Sequence, residues 1–308
     1  MARRRKGRPV HGWVIVDKPR GLTSTQVVGQ VRRIFDAQKA GHGGTLDPLA
    51  TGVLPIALGE ATKTVSYAMD GEKSYRFTLR WGQATDTDDA EGEVVEESAE
   101  RPNEAEIRAV LPGFLGLIEQ VPPTFSAIKV AGKRAYDLAR NQQPVELASR
   151  PILIHDMTLS QAGDRDHATF QVRSGKGAYM RALARDLGRA LGTCAHIVSL
   201  RRTAVGPFLE ADAISLESLQ SLGHSAAASE ILLPVETALD DIPALALSES
   251  EASRLRSGQA VSLLARSDRD RIDKLAQGSI VCAMSASKPV ALARYEAGEL
   301  QPVRVLNL

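Results

Sequence analysis

The chain has 308 residues, of which 43% are hydrophobic and 24% charged, a composition that excludes a disordered or fibrous protein. Its 38 basic and 37 acidic side chains nearly cancel, and no apolar stretch approaches the roughly 18 residues needed to span a bilayer. Its two cysteines, Cys194 and Cys282, stand far apart without metal-binding neighbours, which argues against a disulfide framework or a zinc site.

The N-terminal part is predicted to contain a tail, a strand and a helix. Residues 1–10 form a basic tail that we expect to be flexible, and no apolar stretch of a secretory signal follows it, so we expect a cytoplasmic protein. Residues 12–17 are predicted to form a buried strand. Thr23 to Thr25 offer N-caps for a helix that continues to about residue 35. Four glycines between residues 40 and 54 favour close backbone approach over a regular element.

The middle of the chain is predicted to alternate between strands and helices. Period-two alternation predicts a strand over residues 75–81, and an acidic loop follows at 85–89. The further predicted elements are a short helix at 103–110, an extended segment at 122–129, a helix at 133–140, strands at 152–160 and 167–173, and a helix at 179–191 that ends before Gly192.

The C-terminal part is predicted to be a separate module. Pro234 and Pro243 bracket a short polar link, and beyond it one helix at 248–257 is followed by short strands. We therefore expect a tail over residues 1–10, a main domain over 11–240 and a small β-rich module over 241–308.

Charge is unevenly distributed along the chain. Residues 1–60 carry ten basic and four acidic side chains, residues 70–106 four basic and twelve acidic, and residues 121–210 thirteen basic and seven acidic. If the fold brings the two basic segments onto one face, that face can bind a polyanion; otherwise these charges lie on solvated helix faces. The first case predicts that the acidic residues 85–106 are turned away from the basic face or lie at its rim.

The glycine-rich segment is the strongest candidate for chemistry. It has the sequence Gly41-His-Gly-Gly-Thr-Leu-Asp-Pro-Leu-Ala-Thr-Gly52, and Asp47 is its one carboxylate. That carboxylate could be a nucleophile, a general base or an electrostatic stabiliser, or simply a turn-forming residue before proline. The segment matches neither a phosphate-binding P-loop nor a hydrolase nucleophile elbow.

Motifs spread over residues 12–208 resemble those of the bacterial TruB family of tRNA pseudouridine synthases. In chain order they lie at residues 16–21, 41–52, 73–77, 82–92, 122–140, 174–181 and 200–203. The resemblance implies that the chain is an isomerase that converts uridine-55 in the T loop of tRNA to pseudouridine after flipping the base. It also implies that Asp47 is the catalytic aspartate. Covalent attack by the carboxylate and elimination to a glycal both remain open.

The resemblance further assigns substrate-binding roles around Asp47. Tyr75 would stack on the target base and accept a proton from the sugar, unless it is only a half-buried strand tyrosine. Arg181 would pair with Asp47 and hold the carboxylate ionised and oriented. Tyr179 would line the pocket beside Leu200, which is otherwise plain core.

Two more residues complete the implied site. His42 would occupy the gap left by the flipped nucleotide, unless it is a structural histidine. Lys18 would shape the floor of the pocket. The resemblance implies no metal and no cofactor.

The implied fold is α+β, with a central mixed, mostly antiparallel sheet, an active-site cleft across it and a C-terminal module similar to the PUA-type RNA-binding domain. We expect a monomer that binds tRNA and needs no membrane or obligatory protein partner. Two alternatives remain: a factor that mainly refolds tRNA, and the guide-RNA-dependent archaeal and eukaryotic relative that modifies ribosomal RNA with partner proteins.

Overall fold

The computed structural model describes residues 7–126, 128–130, 132–141, 146–223, 230–265, 268–273 and 275–308. The helices are α1 (Ser24–Ile34), α2 (Val65–Asp70), α3 (Glu104–Val110), α4 (Ala135–Arg140), α5 (Met180–Ala190), α6 (Leu216–Leu222), α7 (Glu249–Arg256) and α8 (Arg269–Ile272). The strands before residue 240 are β1 (Gly12–Lys18), β2 (Ala40–His42), β3 (Thr51–Leu58), β4 (Lys73–Trp81), β5 (Gln83–Thr85), β6 (Val94–Glu97), β7 (Gly116–Gln120), β8 (Lys129–Val130), β9 (Lys133–Arg134), β10 (Arg150–Gln161), β11 (His167–Ser174), β12 (Ala195–Val205), β13 (Phe208–Leu209) and β14 (Ile214–Ser215).

A ten-stranded sheet forms the centre of the larger part. Its main strand order is β14-β1-β3-β12-β4-β11-β10-β7, and outside this order β2 pairs with β3 and β13 pairs with β12. The pairs β1–β14 and β3–β12 are parallel, whereas the other pairs are antiparallel. The predicted α+β class and the mixed, mostly antiparallel sheet are therefore confirmed.

Local sequence explains the best-defined helices. Thr23 caps α1, because its side chain accepts a hydrogen bond from the Gln26 backbone and the Gln26 side chain accepts one from the Thr23 backbone. Helix α5 has a strongly amphipathic sequence, buries Leu183 and Leu187 against the sheet core and is followed by Gly192 at φ +70. Helix α4 is shorter than predicted, because Lys133–Arg134 pairs as β9 instead.

A second, five-stranded sheet follows in the order β15 (Ala244–Ala246), β17 (Ile280–Ser285), β18 (Lys288–Glu296), β19 (Glu299–Val305) and β16 (Val261–Ser262). The chain end after this sheet packs on the larger part. Leu306 joins a buried cluster with Trp13, and the Lys63 ammonium donates to the Val305 carbonyl at 2.7 Å.

The described residues include no helix long and apolar enough to cross a membrane. The tail predicted over residues 1–10 is attached from Arg8 onward, because Arg8 N donates to Asp36 O at 2.6 Å and Gln38 N donates to Arg8 O at 3.1 Å. Residues 1–6 lie outside the described residues.

Candidate active site

The loop that carries Asp47 lies between β2 and β3, and its backbone is fixed from the first helix. Leu46 N donates to the Ser24 hydroxyl at 2.8 Å, and that hydroxyl donates to Leu46 O at 3.1 Å. Gly21 N donates to Pro48 O at 2.8 Å. The residues on both sides of Asp47 are thus hydrogen-bonded to a distant part of the chain, which sets the direction of its side chain.

Lys18 supports this loop from behind. Its ammonium group donates to Pro19 O at 2.9 Å and to Pro48 O at 3.3 Å, and the residue is fully buried. Burial lowers the pKa of Lys18 to about 8, and the nearby Asp47 carboxylate partly opposes this shift. Lys18 lies under the loop and does not line the cavity described next, so its contact is with the loop backbone.

A cavity of about 340 Å³ opens beside the loop. Five of the predicted site residues line it: Asp47, Tyr75, Tyr179, Arg181 and Leu200. They come from the loop, β4, the start of α5 and β12, so the fold brings together side chains that are up to about 150 positions apart in sequence.

His42 is placed differently. It belongs to β2 and does not line the cavity, and its Nδ1 is buried with no hydrogen-bond partner among the described residues. Burial lowers its pKa, and the Arg202 charge adds to this shift.

Arg181 is the electrostatic centre of the site. Its side chain is only 6% exposed, and one guanidinium nitrogen lies 3.0 Å from Asp47 Oδ2. The guanidinium also donates to Thr87 O and Phe125 O, both at 2.9 Å, and its Nε lies 3.6 Å from Asp89 Oδ2. Arg181 therefore connects Asp47 to two neighbouring loops as well as neutralising its charge.

The acidic loop is part of the site, which corrects the expectation that residues 85–106 would be turned away or at the rim. Asp89 is 4% exposed beside Arg181, and Asp88 forms an ion pair of 3.0 Å with Arg185. Burial raises the pKa of Glu91, with further contributions from Asp89 and Asp47. The expectation is wrong for this end of the segment because α5 presents two arginines one turn apart to it. The later strand β6 is exposed.

Tyr75 lies on β4, directly opposite Arg202 on β12. Burial raises the pKa of the Tyr75 phenol, and the positive charge of Arg202 partly opposes that shift. Arg202, which also lines the cavity, is only 2% exposed and was not among the predicted site residues.

Tyr179 is held by its backbone and covered by an arginine. The Gln120 side chain accepts from Tyr179 N at 2.9 Å and donates to Tyr179 O at 3.1 Å. The Arg150 guanidinium lies 5.1 Å from the centre of the Tyr179 ring, a cation–π distance.

The cavity contains other side chains that the sequence did not single out, namely Met69, Lys73, Ser126 and Arg150. Lys73 donates to Gly71 O at 2.6 Å and to Met69 O, and burial lowers its pKa to about 8. Tyrosine rings and cations around the carboxylate of Asp47 suit a ligand that is planar and carries negative charge, and the carboxylate can serve it as a nucleophile. The described residues contain no group of three His, Cys, Asp or Glu side chains that could hold a metal ion.

Comparison with known proteins identifies two family models in this chain. Residues 32–180 match the TruB family pseudouridylate synthase N-terminal domain, and residues 181–240 match the tRNA pseudouridylate synthase B C-terminal domain. The chain is 58% identical over 308 residues to the tRNA pseudouridine synthase B of Rhodospirillum rubrum, with all of both chains covered. It is 55% identical over 309 residues to that of Caulobacter vibrioides, again with all of both chains covered.

Solved structures show the same fold. A chain from the crystal structure of a Cbf5–Nop10–Gar1 complex matches with a TM-score of 0.70 and 27% identity, covering 93% of this chain and 78% of that one. A chain from an H/ACA RNP bound to a substrate RNA matches with a TM-score of 0.73 and 23% identity, covering 100% of this chain and 92% of that one.

Proposed function

Because this chain belongs to the TruB family of pseudouridylate synthases, we propose that it isomerises uridine-55 in the T loop of tRNA to pseudouridine. The observation that carries the proposal is the position of Asp47, whose carboxylate lies 3.0 Å from Arg181 in a cavity also lined by Tyr75 and Tyr179. The full-length relatives at 58% and 55% identity, both named tRNA pseudouridine synthase B, support tRNA as the substrate.

The reaction exchanges one bond for another. The bond between C1′ of the ribose and N1 of the uracil breaks, a bond between C1′ and C5 forms, the C5 proton leaves, and N1 gains a proton. The formula does not change, so the chemistry needs an oriented carboxylate and a proton acceptor. Asp47 acts at the sugar, either by attack on C1′ or by stabilising the charge that develops during elimination.

The other site residues hold the flipped nucleotide. Tyr75 stacks on the base and accepts a proton, Tyr179 and Leu200 bound the pocket, and Arg181 orients Asp47. His42, which ends β2 two residues before Gly44 of the cavity lining, fills the gap in the RNA loop. Lys18 acts through the loop that carries Asp47.

The substrate is a polyanion, and the cavity carries matching charge. Lys73 and Arg150 line it beside Arg202, so a phosphate backbone that crosses the opening meets basic side chains. We propose that the protein works as a cytoplasmic monomer without an obligatory protein partner. The bacterial relatives match at more than twice the identity of the chain from the H/ACA complex, which favours the stand-alone enzyme over the guide-dependent one.

The domain division is also proposed. Residues 11–240 form the catalytic domain, and residues 241–308 form the PUA-like module that contacts RNA. The two separate sheets support this division, since the second one begins at Ala244.

The test measures pseudouridine in a T stem-loop RNA after incubation with the wild type and with Asp47→Asn. We expect the wild type to convert the target uridine. The rate of conversion by Asp47→Asn should be about a hundredfold to a thousandfold lower. Asp156→Asn is the matched control, because Asp156 is exposed and does not line the cavity of Asp47. Equal rates for Asp47→Asn and wild type would refute the role of Asp47, and retained tRNA refolding without modification would favour the folding factor.

A further inference from the structure

We propose that Arg202 is a positioning residue that fixes Tyr75 and the loop of Asp47 in one geometry, a proposal that rests on the function proposed above. Arg202 lies on β12, the strand between β3 and β4. Its register partners are Gly52 on β3 and Tyr75 on β4. The residue is thus placed between the strand that leaves the Asp47 loop and the strand that carries the tyrosine.

The guanidinium of Arg202 holds the loop by its backbone. It donates to Gly44 O at 3.0 Å and to Thr45 O at 3.4 Å, and its Nε donates to Val53 O at 2.8 Å. Gly44 and Thr45 precede Asp47, and Val53 follows it, so one planar group ties both ends of the loop together. A lysine cannot do this, because a single ammonium group lacks the rigid fork of donors.

The same guanidinium lies beside the phenol of Tyr75, its register partner on β4, and the positive charge of Arg202 acts to lower the pKa of that phenol against the effect of burial. Arg202 is only 2% exposed, and three backbone carbonyl oxygens accept hydrogen bonds from its guanidinium. A buried cation is costly without such partners, so these hydrogen bonds both retain the side chain in the interior and fix its geometry.

Arg201, the neighbouring residue on the same strand, has ion-pair partners that are different from the partners of Arg202. Arg201 points to the opposite face of the sheet, where it pairs with Asp17 at 2.9 Å and with Glu210. It does not line the cavity. Arg201→Gln is therefore a matched control: it removes an arginine from the adjacent position of the same strand and, apart from a hydrogen bond of 3.4 Å to the Thr51 hydroxyl, leaves the contacts around Tyr75 and the Asp47 loop in place.

The experiment compares Arg202→Gln, Arg202→Lys and Arg201→Gln in the full-length protein, with a T stem-loop RNA as substrate. We expect Arg202→Gln to lower the single-turnover rate constant roughly 10- to 100-fold, the effect of losing hydrogen bonds from a charged group. The dissociation constant of the RNA should stay unchanged. Arg202→Lys should have a rate constant between those of Arg202→Gln and the wild type, because it retains the charge but lacks the fork of donors. Arg201→Gln should keep the wild-type rate constant. A folded Arg202→Gln protein with the wild-type rate constant would overturn the proposal.

A double-mutant cycle tests the link to Tyr75. In a Tyr75→Phe background the hydroxyl is gone, so Arg202→Gln should slow the residual reaction much less than it does in the wild type. An equal slowing in both backgrounds would refute the link. If Arg202→Gln does not fold, Arg202→Lys replaces it in the cycle.

A titration separates failure of this proposal from failure of the proposed function. The phenol of Tyr75 is titrated by ultraviolet absorbance as the difference between each protein and its Tyr75→Phe partner, which needs no activity. The charged groups facing this phenol are Arg202 and Asp47. Arg202→Gln should raise the pKa of Tyr75, whereas an unchanged pKa would overturn the proposal even if the wild type proved inactive on the RNA.

Discussion

Arg181→Met should separate the stability of the active site from its activity. The side chain of Arg181 is 6% exposed, and that of Asp89, 3.6 Å from Arg181 Nε, is 5% exposed. Their attraction is about 5 kcal/mol at the effective dielectric of a protein. In this variant Asp89 keeps its hydrogen bonds from the Thr87 hydroxyl at 2.7 Å and from Glu91 N at 3.0 Å. Asp47 is 38% exposed, so water screens its charge and the loss of Arg181 costs little there. The expected loss is that of one unpaired buried carboxylate, about 3–5 kcal/mol of unfolding free energy at pH 7.

Denaturant unfolding and single-turnover kinetics check this prediction on the same proteins. Arg181→Met combined with Asp89→Asn should recover most of the lost stability, because the uncompensated charge is removed. The rate constant should stay low in both variants, since Asp47 has lost its partner. A loss below about 1 kcal/mol for Arg181→Met, or no recovery in the double variant, would show that Asp89 is not held by this ion pair.

Three other predictions follow from the geometry. Gly52→Ala should cost about 2–4 kcal/mol in thermal unfolding, because the backbone has φ +98 and the new Cβ would meet Arg202 O at 2.2 Å; a melting temperature equal to wild type would contradict this. The pKa of Lys18 is about 8 in the folded protein and ordinarily 10.5. Between these two pH values the unfolded chain therefore retains a proton on Lys18 that the folded protein has released. The Lys18 contribution to the unfolding free energy should rise by up to about 3 kcal/mol as the pH increases through that window, and Lys18→Met, measured in parallel, should lose this part of the rise and keep the part due to Lys73, whose pKa is also about 8. Leu306→Ala should lower the unfolding free energy by about 2–5 kcal/mol, because Leu306 is 3% exposed in the cluster with Trp13; a loss near zero in urea unfolding would mean that the chain end is not anchored there.

Local patterns were sufficient for elements whose pattern is unbroken. The β10–β11 hairpin, β4, α1 and α5 were predicted from alternation, helical spacing and caps. Strand β12 was not predicted, although it lies at the centre of the sheet. Two register shifts, between Ile197 and Ser199 and between Arg202 and Ala204, break its alternation, and a buried arginine occupies an inward position.

Strand β3 was also missed, because it contains Gly52 and Pro55, which normally interrupt a strand. The strand tolerates Pro55 because its second neighbour changes there. Residues Thr51 and Gly52 pair with β12, residues Ile56 to Leu58 pair with β2, and only the β1 pairing is continuous. This depends on the order of strands in the sheet, which no local pattern contains.

The candidate site was predicted where a residue lies in a recognisable motif and missed where its role comes from contact alone. Asp47, Tyr75 and Arg181 were predicted and line one cavity. Asp89 belongs to an acidic run that indicates a solvated loop, and only the arrival of α5 makes it a partner of Arg181. Segment counts of charge could not show this, because they treat every acidic residue as exposed.

The spread of the motifs along the chain follows from the flexibility of the Asp47 loop. Fixing the backbone of one residue costs about 1–2 kcal/mol of conformational entropy. The cost is largest for glycine, so a glycine-rich loop loses more entropy on ordering than other loops of the same length. Each hydrogen bond returns about 0.5–1.5 kcal/mol, so several are needed, and they must come from rigid elements. Ser24, Lys18, Arg181 and Arg202 supply them from a helix, a strand, a second helix and the central strand. A single contiguous motif could orient the carboxylate from one direction only, whereas four separated anchors fix it in three dimensions.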